Sequence, residues 1–463
     1  MNNIFNHSLT PKNPNTMKKL KGKNILVVLM LGLTFGLYNC TRHDQVLNLA
    51  PSNGTTLTSV KTTTPPTFAA AGAYWGGADA NQWKSAPVLN VTATVPDVEG
   101  NNSSFVGYIG NSTPVTIQSM YDATNIYFLV TWKSAQSNLE SSPWYFNPTK
   151  KLWAQGGAGI TYDVNGEVTL QSFVSDQFTF LWNINGSSAD FKTQGCFGAC
   201  HQGVQTMVVD TNTGLVSTQT GNTMHTNGPN EKLDCWRARM YQVVNAAQCL
   251  DYYIDYDGGV MGGGGIHADQ TVSNGGYPPT YSSNVSTNGT GGVTNKQTLT
   301  VTGTSKHVSV PIWVKTSDSY TNAALLLSDT LGAAVKVVAV DSNGVLTLSN
   351  GSTIDPMANT TYQKVGTGIG NGDQTTWIPG KVIAPYTGGQ GDVAANGYWT
   401  GSSWQLMLKR ALKTSDVLEQ DVDFSPLTDQ QFGIGVMFQA AGSINPADNQ
   451  HAIMSGLNMT FKK

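Results

Sequence analysis

The residues best equipped for chemistry lie together at Cys196 to His201, CFGACH, where two thiols flank three residues and an imidazole follows at once. Paired thiols attach a haem through its vinyl groups, and the adjacent His ligates its iron; the common attachment pattern is C-x-x-C-H. The spacer here is one residue longer, and the small residues Gly198 and Ala199 let the extra residue bulge without steric cost. Cys196, Cys200 and His201 are therefore candidates to hold one covalent haem c. Two other chemistries fit the same residues, a disulfide between the two thiols or half of a zinc site. Haem is favoured because the remaining cysteines offer no second close pair.

The chain has five cysteines, which leaves Cys40, Cys235 and Cys249. Lys18, Lys19, Lys21 and Lys23 precede the apolar run ILVVLMLGLTFGLY, and Asn39 and Cys40 follow it. A basic segment before a short apolar run reads as a signal peptide, too short for a comfortable membrane span. Residues 1–39 are thus expected to be a signal peptide with its natural start at Met17, and Cys40 the lipidated first residue of the mature protein. Simple secretion and an uncleaved anchor are the alternatives. Thr41, not Asp, follows Cys40, so the expectation is an outer-membrane lipoprotein facing the periplasm or the cell surface. In an exported chain, Cys235 and Cys249 form either a disulfide or two buried thiols.

The elements that must position these residues are strands. Charged residues make up only 12% of the chain, Gly numbers 50, and the net charge is −3. That profile suits a turn-rich exported β protein and excludes the basic stripe that nucleic acid requires. Residues 40–68 read as a lipidated flexible tether, rich in Thr, Ser and Pro. From residue 69 onward, runs such as VLNVTATV, NIYFLVTWK, QFTFLWNI, SWQLMLKR and FGIGVMFQA alternate apolar and polar residues between turn formers, predicting a β-sandwich over 69–463. The stretch KLDCWRARMYQVVNAAQC is compatible with a helix capped by Asp234, with Trp236, Met240 and Val243 or Val244 on one face. Residues near 282–308 read as a Thr/Asn/Gly-rich surface excursion, and VKVVAVDSNGVLTLSNG as a hairpin around Asn343 and Gly344.

Several segments together resemble the haem-binding subunits typified by the gamma subunit of ethylbenzene dehydrogenase. They are DQFTFLWNIN, GCFGACH, MHTNGPNEKLDCWRARMYQ and the distal run WIPGKVIAPYTGGQGDVAANGYWTGSSWQLMLKRALKTSD, with DVDFSPL and His451. The resemblance implies an all-β, immunoglobulin-like or DOMON-like sandwich with an inserted haem-binding loop and short helix, passing electrons without transforming a substrate. It implies Cys196 and Cys200 as thioether positions, His201 as proximal ligand and Met224 as sixth ligand, with His225 as the rival. Family members often carry a Trp-x-Trp-Lys run, and this chain has Cys235, Trp236, Arg237, Ala238 and Arg239 there instead. The partners implied are a redox protein, such as a molybdenum oxidoreductase or a respiratory cytochrome, and the membrane through the lipid anchor.

Arg237, Arg239 and Arg410 are candidates for haem propionates, since guanidinium binds carboxylate through two hydrogen bonds; otherwise each is a surface ion pair. Trp182, Trp236 and Trp404 read as packing residues, and Asp251, Asp255 and Asp257 lack the ligand ladder of an EF-hand. Two other function classes remain: a haem-based sensor with an open sixth site, and a haem-free carbohydrate-binding or other ligand-binding sandwich using Tyr74, Trp75, Trp144 and Trp153. No nucleophile elbow or zinc-protease motif nominates a hydrolase.

Overall fold

The alternating segments form strands, and in a computed structural model twelve of them join one sheet. The structure describes residues 54–70, 74–96, 108–139, 141–155, 161–162, 168–170, 175–189, 191, 199–209, 216–224, 226, 230–255, 265–269, 292–315, 325–326, 333–358, 378–386, 388–439 and 449–463, all within the compact unit Leu47–Lys463. The sheet strands are β1 (Thr56–Lys61), β2 (Leu89–Thr94), β3 (Ser112–Tyr121), β4 (Asn125–Lys133), β5 (Gln177–Asn183), β6 (Leu233–Arg239), β7 (Leu250–Ile254), β8 (Ile266–Ala268), β9 (Ala394–Trp399), β10 (Ser403–Ala411), β11 (Gln430–Gln439) and β12 (Asn449–Lys462). They run in the order β8-β7-β6-β5-β11-β12-β1-β3-β4-β10-β9, with β2 beside β12 and β3.

Strands far apart in this order meet through their side chains, so the sheet folds onto itself as a sandwich. Phe128 of β4 lies 5.1 Å from the ring of Phe180 on β5 and 5.7 Å from Trp236 on β6. Trp132 of β4 likewise approaches Phe178 of β5 at 5.8 Å. Trp182, Trp236 and Trp404 are fully buried in this core, where each tilted or edge-on ring pair contributes about 0.5–1.5 kcal/mol beyond its buried area. Asp176 precedes β5 inside the same core. Its Oδ2 accepts from Trp404 Nε1 at 2.6 Å and from the backbone N–H of Asn138 at 3.1 Å, tying β10 to the entry of β5.

Three expectations change. The tether reading of 40–68 fails at β1, which pairs in parallel with β12 on one side and β3 on the other. Ser59 is the reason: it is fully buried and accepts from Ser119 Oγ at 2.9 Å, so a residue that reads as solvent-facing belongs inside. The helix expected over 232–249 is a strand first, β6, and becomes helical only as α1 (Met240–Ala246). The residue before that helix is Arg239, which makes no side-chain cap; Asp234 is drawn into the core instead. The excursion near 282–308 also builds structure: from residue 292 it supplies strands Gly292–Thr294, Gln297–Thr300 and His307–Val310. With Trp144, Phe146, Trp153, Val337, Leu346 and others, the last two of these strands feed a second apolar core through Leu299, Val308 and Val310. The expected hairpin at Asn343 and Gly344 forms there, Val335–Val340 against Leu346–Leu348. Gly344 has φ 83°, and a Cβ on it would lie 2.2 Å from the Phe146 ring, so the turn needs glycine twice over.

Candidate functional site

The chain between β5 and β6 leaves the sheet as a long insertion that carries the cysteine motif. Its described hairpin pairs Cys200–Val209 with Val216–Met224 in antiparallel register, with Cys200 opposite Met224 and His201 opposite Thr223. The thiol-bearing residue and the expected sixth ligand thus occupy one rung of a ladder, described by its backbone. Cys196, His225 and Cys40 lie outside the described residues.

Ala199, the last spacer residue, fixes where this insertion meets the sheet. It is fully buried with Leu181, Phe191, Leu233, Cys235 and Ile254, and Tyr252 and Ile266 pack against the group. These side chains lie on the outer face of β5, β6 and β7. Alternation along β6 explains the division: Trp236 and Ala238 enter the sandwich core while Leu233 and Cys235 join the outer cluster. Cys235 and Cys249 consequently fall in different clusters, and each stands as a buried thiol; the expected disulfide is not formed.

Continuing outward along β6, the same alternation brings Arg237 and Arg239 to the outer face, both half-buried. Arg237 Nε donates to Gln177 Oε1 at 3.2 Å. The neighbouring Arg239 guanidinium, and burial after it, hold Arg237 below its ordinary pKa. Neither makes an ion pair with a carboxylate among the described residues. Across β5 from them, β11 is thin: a Cβ on Gly433 would meet Met454 O at 3.4 Å, and one on Gly435 would meet His451 Nε2 at 3.1 Å. Burial, with Arg237 adding to it, pushes the His451 imidazole down to about 4, so it is neutral at physiological pH. Two adjacent guanidiniums on a half-buried face can bind a dianionic group through bidentate hydrogen bonds.

Arg410 has a different place. It is fully buried, with Nη1 donating to Asp234 Oδ2 at 2.7 Å and Asp421 Oδ1 at 3.0 Å, and Nη2 donating to Val422 O. Its guanidinium lies 4.7 Å from the Trp236 ring and 5.1 Å from that of Phe424. Both earlier readings of this residue, propionate partner and surface ion pair, give way to an interior charge cluster. Asp255 pairs instead with His267 at 3.1 Å, and Asp257 lies outside the described residues.

The aromatic platform expected of a sugar binder is not assembled. Trp144 and Trp153 are buried in the second core, where their indole N–H groups donate to Asn295 O and Gly344 O, each at 2.7 Å. Tyr74 is exposed, but Trp75 packs against a separate apolar cluster on the outer face of β1, β3, β4 and β10. No helix among the described residues is long and apolar enough to cross a membrane.

Among solved structures, the chain is similar to a family 9 carbohydrate-binding module from Caldicellulosiruptor kristjanssonii in complex with cellotriose. The identity is 8%, the TM-score is 0.24, and the match covers 88% of this chain and 93% of that one. No curated protein matches the chain. The ethylbenzene dehydrogenase family model matches residues 80–443, a span that begins between β1 and β2 and runs through the cysteine hairpin, the Arg237 and Arg239 face and β11. The chain belongs to the ethylbenzene dehydrogenase family.

Proposed function

We propose that the chain is a c-type cytochrome subunit that passes electrons to or from a partner redox enzyme. Family membership supports a redox-associated subunit in an oxidoreductase complex. The observation that carries the finer reading is the anchoring of CFGACH: Ala199 is locked into the outer face of β5 and β6, two residues before His201 and on the face that carries Arg237 and Arg239. In this reading Cys196 and Cys200 hold one haem covalently, His201 is its proximal ligand, and Arg237 and Arg239 take its propionates. The haem supplies a one-electron iron couple; the chain orients it, neutralises its carboxylates and limits its contact with water.

Cys200 pairs with Met224 and His201 with Thr223, so the residues that would hold the iron, His201 and Met224, come from neighbouring rungs of one hairpin, with His225 the rival to Met224 at the sixth position. A thioether there raises the potential above that of a bis-imidazole centre. Cys40 is the proposed lipid anchor to the outer membrane. A molybdenum oxidoreductase or a respiratory cytochrome is the proposed electron partner.

The test is the mass and visible spectrum of the protein matured with haem-attachment machinery. The expected result is a Soret band that survives denaturing electrophoresis and a mass that includes one haem. A mass equal to the bare polypeptide plus lipid overturns the proposal.

A further inference from the structure

The interior charge cluster around Arg410 belongs to no step of electron transfer, and it is incomplete as it stands. Asp234 on β6, Asp251 on β7 and Asp421 in the loop after β10 are all buried, and each offers an oxygen within 4.8 Å of the others. Arg410 occupies Asp234 Oδ2 and Asp421 Oδ1, and Thr414 Oγ1 donates to Asp421 Oδ2 at 2.6 Å. Asp251 is different. Neither of its oxygens, nor Asp234 Oδ1, has a hydrogen-bond partner.

We propose that Asp234, Asp251 and Asp421 bind one calcium ion inside the sandwich. Three oxygens no farther apart than 4.8 Å share a point within about 2.8 Å of each, close to the 2.3–2.6 Å of calcium–oxygen bonds. The donor set is all carboxylate oxygen, which suits a hard cation. Calcium tolerates longer bonds and irregular geometry, whereas magnesium demands near-ideal octahedral geometry at shorter bonds than this spacing gives. The charges also close: three carboxylates and one guanidinium leave two negative charges, which a divalent cation balances.

Protons are the competing occupant. Burial, with the neighbouring carboxylates adding to it, pushes Asp251 well above the usual carboxylate range, and burial brings Asp234 up to about 7. Asp269, whose backbone N–H donates to Asp251 O at 3.3 Å, is raised in the same way by burial and neighbouring carboxylates. Both Asp251 oxygens are buried with no hydrogen bond made to them, and a buried polar group left unpartnered is costly. An ion satisfies the same oxygens without that penalty. The site is independent of the haem proposal, since no residue is shared.

The test uses the full mature chain, stripped with a chelator and titrated calorimetrically with calcium chloride, alongside thermal unfolding with and without the ion. The expected result is one calcium per chain and a rise in Tm that is lost in Asp251→Asn. Calcium binding and stabilisation that persist unchanged in Asp251→Asn overturn the proposal, because the ion then sits elsewhere. So does a wild-type chain that takes up no calcium, whether or not the variant folds. A Tm for Asp251→Asn that exceeds that of wild type in chelator and in calcium alike identifies protons as the occupant and overturns it as well.

Discussion

Replacing Asp176 by Asn should stabilise the protein at alkaline pH and leave it nearly unchanged in acid. Asp176 is fully buried, and burial pushes its carboxyl up to about 7 despite hydrogen bonds from Trp404 and Asn138. A folded-state value above the ordinary 3.8 means that the protonated form is the one the fold favours. Its contribution is fully present below about pH 4 and disappears as pH rises through about 7. Holding an ionised carboxyl under those conditions costs about 4 kcal/mol by about pH 8, at 1.36 kcal/mol per pH unit. Asn keeps an acceptor for the Trp404 and Asn138 donors and carries no charge. The difference in unfolding free energy between variant and wild type should therefore grow by up to about 4 kcal/mol from about pH 4 to about pH 8. Urea denaturation of both proteins across that range measures it. A difference that is flat with pH, or a variant that is the weaker protein at alkaline pH, refutes the reasoning.

Arg410→Met leaves buried carboxylates without their guanidinium and should cost about 3–5 kcal/mol in urea denaturation. Gly344→Ala must give up φ 83° and drive a methyl into the Phe146 ring; a loss of about 1–3 kcal/mol is expected, read as a lower thermal midpoint. For the haem protein, Met224→Ala should lower the midpoint potential while His225→Ala leaves it unchanged; the reverse pattern assigns the sixth site to His225 and a bis-imidazole centre. Cys40→Ser should release the protein from the outer-membrane fraction, and a wild-type protein recovered wholly in the soluble fraction contradicts the anchor.

What could be read from the sequence depended on whether neighbours in the chain are neighbours in space. The strands around Phe128, Phe180 and Phe432 were visible because their alternation is local and uninterrupted. Ser59 broke that pattern, since its buried partner Ser119 lies in another strand. Asp234 misled for the same reason: a carboxylate two residues before a helical-looking face reads as a cap, yet its partners Arg410 and Val422 come from the far end of the chain. The helical spacing of Trp236, Met240 and Val243 was equally deceptive, because Trp236 belongs to a strand and the other two to α1. In the candidate site, CFGACH was legible as chemistry. Its docking through Ala199 onto Leu181 and Cys235 was not, because nothing in a six-residue motif indicates which sheet face will receive it.

The placement of β1 has a consequence for the order of events during synthesis. Thr56 pairs with Asn458, so a strand made among the first must wait for one made at the end before both its edges are covered. Contacts so distant in sequence form slowly, and until they form β1 presents an open edge. The ladder from Cys200 to Met224 has no such dependence, because every rung joins residues of a single short segment. Whatever is attached to that segment can be attached while the sheet is still open, so maturation of the hairpin and closure of the sandwich are separable in time, and a defect in one should accumulate a chain that has completed the other.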